Sequence, residues 1–344
     1  GRCGARGRAG ARRSAAGPDD RPDRAGGVTG FAYRIANGRA ERLEPEAAVA
    51  ATGDFVWIHL HGEGATIADW LRGTAGLPDF VVDPLTAVET RPRCDAIGKG
   101  AFVNLRGLSE DALSNADPLA SVRLYASAGR VHSVTRRRLS ALDPVIARVE
   151  SGGVADPGDL IVAFATAITE QLDPLIADLG DMLDDCEEAL DASNIFDLRR
   201  NVTGTRARAI GYRRFLVPQR SALEKLATLT GDWLQADDRL HLAAAADRAA
   251  RMAEEVDSIR ERAALIHETL TDLRAEQLDQ RSLQIAIVAM IFLPLTFLTG
   301  LLGMNVEGIP FAKEPWAFAG VVALCVVMGA AVIGWFARRH WLGK

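Results

Sequence analysis

Apolar and polar positions change their period twice along this 344-residue chain. From about Gly30 to Arg138, short runs rich in β-branched and aromatic residues recur: Phe31 to Ile35, Phe55 to Leu60, Ala101 to Arg106, Ser121 to Ala126 and Arg130 to Thr135. Runs of this length and composition predict strands. Ser127-Ala128-Gly129 reads as a hairpin turn between the last two, and Ile67 to Leu71 and Val81 to Val88 carry helical spacing. Residues 29–152 are therefore expected to form an α/β domain with helices packed on a sheet.

Beyond Ser151-Gly152-Gly153 the period becomes helical. Asp156-Pro157 supplies an N-cap followed by proline at the first helical position, and apolar spacing runs to about Leu190, with a kink or interruption expected at Pro174. A second helix, from about Asn194 to Leu229 and bent at Pro218, completes a hairpin. Gly231-Asp232 precedes a third helix that starts near Asp238. Within it Met252, Val256, Ile259, Ala263, Ile266, Leu270 and Leu273 alternate steps of four and three, the heptad spacing of a long stalk. Hairpin and stalk together are expected over residues 153–281.

The stalk runs without a breaker into Ser282 to Val306, about 25 uncharged residues where a bilayer core needs about 20. Pro315 to Ala337 offers about 23 more. The reading is an α+β membrane protein: a transmembrane domain over 282–344, with spans at 282–302 and 316–337 and an outward-facing loop at 303–315. Arg274 and Arg281 precede the first span and Arg338, Arg339 and Lys344 follow the second, against Lys313 alone between them. The positive-inside rule then puts both termini in the cytoplasm. Phe311 and Trp316 at one end, with Trp335, Phe336 and Trp341 at the other, fit aromatic anchoring at both interfaces.

Charge changes this picture little and narrows the partners. The net charge is -5, with the charged residues concentrated before Ser282, so a basic nucleic-acid face is not expected. Cys3, Cys94, Cys186 and Cys325 lie far apart and make neither a disulfide framework nor a zinc knuckle. Residues 1–28, rich in Arg, Gly and Ala, read as a disordered tail. No Walker loop, G-x-S-x-G or H-E-x-x-H is present, so nothing points to an enzyme or an ATP-driven pump.

Candidate chemistry lies on the first span. Asp279, Ser282, Ala286, Ala289, Leu293, Thr296, Gly300 and Gly303 step by three or four and share one helix face, which is small or polar. The other faces carry Ile285, Ile287, Met290, Phe292, Phe297 and Leu301. A small-residue face serves either close helix packing or a water-filled path. Two helices cannot enclose such a path, so a pore requires several copies around an axis with this face inward. The acids Asp178, Asp181, Asp184, Asp185, Glu187, Glu188 and Asp191 read as a solvated helix face before a metal sensor, because they wrap around the helix. His59 and His61 share a strand face without an evident third ligand. No dedicated protein-ligand metal site or cofactor is expected.

The segment Phe292-Leu293-Pro294-Leu295-Thr296-Phe297-Leu298-Thr299-Gly300-Leu301-Leu302-Gly303-Met304-Asn305 resembles the CorA metal ion transporter family. Val306-Glu307-Gly308-Ile309-Pro310, with Thr90-Arg91-Pro92-Arg93 and Leu105-Arg106-Gly107, looks like its ZntB zinc-transporter branch. Many magnesium channels of the family have Tyr where this chain has Leu302. The resemblance implies a homopentamer in the inner membrane that moves Zn²⁺ or related divalent cations, with Gly303, Met304 and Asn305 as the entrance filter. A ring of Asn305 amide oxygens would accept hydrogen bonds from the waters of a hydrated cation, Gly303 would let the backbone approach the axis, and Glu307 and Glu314 would draw cations to the mouth. An oxygen-lined path suits Mg²⁺, Co²⁺ or Ni²⁺ as well. Proton coupling belongs to the zinc branch, yet no titratable side chain lies between Ser282 and Val306. A membrane-anchored coiled-coil interaction protein is the reading from a different class.

Overall fold

The computed structural model describes residues 28–88, 91–110, 118–190, 194–304 and 314–338. The tail, Thr90, Asp191, and the loop residues Asn305, Glu307, Phe311 and Lys313 fall outside that set. Two compact units divide the chain, one formed by residues up to Asp178 with Ile210–Asp257, the other by Leu179–Ala209 with Ser258–Lys344.

The first unit is built on a seven-stranded sheet of order β2-β1-β3-β7-β6-β5-β4. Its strands are β1 (Thr29–Ala36), β2 (Arg39–Leu43), β3 (Phe55–His61), β4 (Arg93–Ile97), β5 (Gly100–Leu108), β6 (Leu119–Ser127) and β7 (Arg130–Thr135). All neighbours are antiparallel except the central pair β3 and β7. Five strands match the apolar runs, while β2 and β4 are edge strands whose sequences RAERL and RCDAI carry too few apolar residues to be visible as runs. The β1–β2 turn is Asn37-Gly38, both at positive φ (52° and 71°), the hairpin geometry that Asn-Gly favours.

Helices cover both faces. On one, α1 (Pro45–Ala50), α2 (Gly64–Gly73) and α3 (Asp79–Thr86) bury Ile67, Trp70, Leu71, Val81, Val82 and Leu85 against Ala32, Val56, Ile58, Leu60, Phe102 and Val134 of the sheet. The other face receives α5 (Pro157–Glu188), after the short α4 (Leu142–Glu150), with Trp57 edge-on to Phe164 at 5.8 Å. Gly107 makes that approach feasible, since a Cβ there would stand 2.9 Å from Ile168 Cγ1. Beside it the Arg106 N–H donates to Gln219 Oε1 at 2.8 Å, and its guanidinium lies 3.8 Å from the Phe215 ring, so Leu105-Arg106-Gly107 ties β5 to both α5 and α6 (Ile195–Ala227).

Pro174 does not interrupt α5, nor Pro218 α6. Pro174 and Glu170, whose carbonyl it frees, are both exposed, so water can take that carbonyl and the helix continues. The third helix, α7 (Ala236–Leu302), is one element of 67 residues, and α8 (Ala317–Arg338) follows. Its heptad seam departs from expectation in partner. In the second unit Ile259, Ala263, Ile266 and Leu270 are buried by the chain's own hairpin, with Leu179, Leu183 and Cys186 of α5 and Leu198, Val202 and Thr205 of α6. Arg262 of α7 reaches Asp184 and Glu187 of α5, and Arg274 lies 5.8 Å from the Phe196 ring of α6. Seam positions spent inside one protomer are not available to build a coiled coil between copies.

The sheet interior holds two histidines. His59 is enclosed by Ser133 Oγ at its Nδ1 (2.8 Å) and Thr135 Oγ1 at its Nε2 (3.3 Å), and burial followed by the nearby His61 pushes its pKa down to about 3. His132 faces the other layer, in register with Ile58 and Tyr125, and neither ring nitrogen has a partner among the described residues. Burial, then Arg130, lowers its pKa to about 4. Both groups are neutral in the fold but protonate near 6.5 when unfolded, so stability is full above about pH 6.5 and falls as pH drops towards the folded values. Asp238, raised to about 6 chiefly by burial, works in the opposite direction over its own window, because the fold favours its protonated form. We expect His132→Leu to raise the unfolding free energy at pH 7.5 by about 1–2 kcal/mol, because it removes an unpaired buried polar group. The same variant should flatten the loss between pH 6.5 and 4.5 by about 1.4 kcal/mol per pH unit, read by urea denaturation at a series of pH values.

Candidate functional site

Among the described residues, three helices are long and apolar enough to cross a membrane: α5, the end of α7, and α8. Burial separates them. The apolar window of α5 is 56% buried by the protein itself, that of α7 6% and that of α8 0%. Ile285, Phe292, Leu293 and Phe297 stand 61–75% exposed, and Phe318 81%. Helices so uncovered need lipid or further protein around them.

Along the apolar end of α7, the positions that lose exposure form a single stripe: Leu283, Ile287, Ile291, Pro294, Leu295, Leu298 and Leu302. Its counterpart on α8 is Ala317, Val321, Cys325, Met328, Val332 and Phe336, with Ile287 and Phe336 the most buried members. Both stripes step by three or four, so the two helices pack along them. At 100° per residue the covered stripe of α7 lies opposite the small and polar one. Asp279, Ser282, Ala286, Ala289, Leu293, Thr296 and Gly300 are accordingly all exposed, uncovered by α8.

The last turn of α7 ends at Gly303-Met304. The Gly303 N–H donates to Thr299 O at 2.9 Å, and a Cβ on Gly303 would stand 2.9 Å from that same carbonyl, so any side chain here must open the turn. Met304 is 48% exposed. Asn305 and Glu307 lie outside the described residues, whereas Glu314 is exposed just before α8, its carbonyl accepting from the Ala317 N–H at 3.1 Å. The two threonines divide. Thr299 Oγ1 donates to Leu295 O at 3.0 Å and Thr296 O at 3.2 Å, which spends its proton on the helix backbone. Thr296, on the small face, makes no such bond among the described residues.

The remaining candidates resolve into structural roles. Both nitrogens of His59 are committed to hydroxyls, and His61 Nδ1 pairs with Thr135 Oγ1 at 3.2 Å, so the strand histidines do not converge on a metal. In the acidic run of α5, Asp184 and Glu187 are held by Arg262, while Asp181, Asp185 and Glu188 face solvent.

Two clusters escaped the sequence. Asp156, Asp159 and Asp238 come within 4.8 Å of one another, because two helix starts meet. Asp156 Oδ1 accepts from the Asp159 N–H, Asp159 Oδ2 from the Ala155 N–H, and Asp238 Oδ2 from the Gln235 N–H, so the trio caps α5 and α7. Gly158 is required there, since its Cβ would collide with the Asp238 carboxylate. The second is a cavity of about 170 Å³ lined by Arg106, Arg123, Arg136 and Arg137. Burial first, then the neighbouring Arg136, Arg106 and Arg93, lowers the Arg123 pKa to about 10. Only the Asp156-Pro157 cap had a local signature; the others depend on pairing residues far apart in sequence.

Comparison with known proteins agrees with this layout. The profile of the family described as CorA-like Mg²⁺ transporter protein matches residues 52–339. The zinc transport protein ZntB of Pectobacterium atrosepticum is 32% identical over 287 residues, covering 83% of this chain and 88% of that protein. ZntB of Yersinia enterocolitica is 30% identical over 314 residues, covering 91% and 95%. Among solved structures, full-length CmaX superposes with a TM-score of 0.73 at 29% identity, over 93% of this chain and 99% of that one. The CorA magnesium transporter from Methanocaldococcus jannaschii gives 0.75 at 16% identity, over 91% and 99%, a likeness of fold.

The opposed stripes give a direct expectation. In a background with the native cysteines replaced by serine, Ser282→Cys, Ala286→Cys and Thr296→Cys in the membrane-embedded protein should react with a membrane-impermeant thiol reagent at least about tenfold faster than Ile287→Cys or Leu298→Cys, as a water-filled path demands. Equal labelling of the two stripes would contradict the reading.

Proposed function

The chain belongs to the CorA-like Mg²⁺ transporter family, whose members carry divalent metal cations, and on that premise we propose that it moves Zn²⁺ through a homopentameric pore lined by α7. The observation that carries the reading is the small, polar stripe from Asp279 to Gly300, left bare by α8 and ending at Gly303-Met304 next to Asn305. Copies around an axis would turn this stripe inward and their bulky apolar surfaces to lipid or to one another.

Each residue then has a task. Asn305, once per subunit, forms a ring of amide oxygens at the outer mouth that bonds the hydration shell of the incoming cation. Gly303 brings the backbone close to the axis, Met304 packs behind the ring, and Glu307 and Glu314 raise the local cation concentration. Thr296 offers a hydroxyl within the membrane, Leu293 one turn below forms an apolar constriction, and Asp279 marks the inner mouth. The two spans cross the inner membrane with both termini cytoplasmic, as the Arg and Lys flanks require.

Zinc is favoured by the ZntB relatives, at 30–32% identity over most of the chain. A second reading, Mg²⁺ as cargo, is favoured by one observation. The uncovered stripe has no His or Cys, the ligands that dehydrated zinc prefers, and Cys325 sits on the packing stripe of α8 instead.

The test is uptake by the full-length protein in proteoliposomes, with Zn²⁺, Mg²⁺, Co²⁺ and Ni²⁺ in competition and with imposed pH gradients. Asn305→Ala should lower initial uptake roughly tenfold or more with assembly intact, as loss of a filter ring predicts. Gly303→Val should do the same by opening the last turn of α7. Wild-type flux through Asn305→Ala refutes the filter assignment, and Mg²⁺ flux that Zn²⁺ fails to compete selects the second reading.

A further inference from the structure

We infer that neighbouring copies of this chain meet through opposite charges, with the acidic outer side of the α5 tip against the basic outer side of the α6 tip on the next subunit. The inference rests on the homo-oligomer proposed above and names a surface that closes it.

The two helices are charged in opposite senses. Across its 32 residues α5 carries nine Asp and Glu and no Lys or Arg. The 33 residues of α6 carry seven Arg and one Lys against two acids. Little of this charge is neutralised within the second unit. Asp181, Asp185 and Glu188 are exposed, project away from the buried Leu179, Leu183 and Cys186, and form no ion pair among the described residues. Arg200 is exposed opposite the buried seam of Leu198, Val202 and Thr205, with Arg199 and Arg206 on its flank, and these three also lack an ion pair among the described residues. The pairs that do form link helices of the same protomer, Arg262 of α7 with Asp184 and Glu187 of α5.

Geometry decides which surfaces meet. Arg262 docks α5 on one side of α7, and Arg274 over Phe196 docks α6 on the other. With the bare face of α7 turned to the axis, each subunit presents α5 to one neighbour and α6 to the next. A closed ring uses two different surfaces at every contact, so they must complement each other, and here one is acidic and the other basic. An exposed pair contributes little singly, but each isolated tip repels itself, and a row of such pairs relieves both sides. Phe196, 79% exposed on the basic side, adds apolar area to the contact.

The experiment uses the full-length protein in detergent, with native mass spectrometry at low and high salt. Arg199→Glu with Arg200→Glu should cut the assembled fraction several-fold at low salt, and Asp181→Lys with Glu188→Lys should do likewise. Combining all four reversals should restore assembly. A second measurement, oxidant-induced linkage of Asp181→Cys to Arg200→Cys, should yield a covalent dimer. The inference is overturned if both reversals assemble as well as wild type, or if the fourfold variant is no better than either pair. It is also overturned if the basic reversal alters only binding to anionic-lipid vesicles, which would make that side a lipid surface. A monomeric wild-type protein would instead sink the oligomer reading itself, so the two failures are distinguishable.

Discussion

Apolar helix surface that the chain does not cover is the constraint on which the rest of this protein depends. The heptad seam of α7 is satisfied up to Leu270 by α5 and α6, and beyond Ser282 only one stripe is satisfied, by α8. Everything else on the apolar end of α7 and on α8 must be met by lipid or by further protein. Since hydrocarbon accepts Ile285, Phe292 and Phe297 but gains nothing from Ser282, Thr296 and the glycines, the two kinds of surface cannot have the same neighbour. One face therefore turns to lipid or to a packed helix, and the other to a path or a subunit contact. The proposed oligomer rests on that division, not on the heptads, which close inside the protomer.

Much of this was legible in the sequence because it is local and periodic. The five core strands, the long helices and the two uncovered apolar stretches, the end of α7 and α8, are each carried by consecutive residues. The small face of α7 was legible for the same reason, being a matter of spacing. Two edge strands were missed, since RAERL and RCDAI pair on one side only and carry little apolar periodicity. Pro174 does not end its helix: a proline costs a helix a hydrogen bond, but on the exposed side water replaces it.

What the sequence withheld is long-range. Nothing near Asp238 announces that it meets Asp156, and nothing near His132 announces that its imidazole is buried without a partner while His59, on the adjacent strand, has two. The heptad seam shows the limit most clearly. Spacing establishes that a helix has a partner stripe, and the partner's identity lies in residues more than fifty positions away.

The threonines of the first span carry the argument about the ion one step further. Had both hydroxyls faced the path, a dehydrated cation would find two rings of oxygen within one turn of helix. Thr299 instead bonds the carbonyls of Leu295 and Thr296, leaving Thr296 as the one hydroxyl on the bare stripe between Ser282 and Gly303. A single ring of hydroxyls, flanked by Leu293 and glycine, cannot replace the shell of Zn²⁺ or Mg²⁺, each of which binds its waters too tightly to shed them for so few ligands. An ion passing along this stripe must keep most of its water. In the pore proposed here, selection would then fall on the outer mouth, where the amide oxygens of Asn305 would read the size and charge of the hydrated ion before it enters.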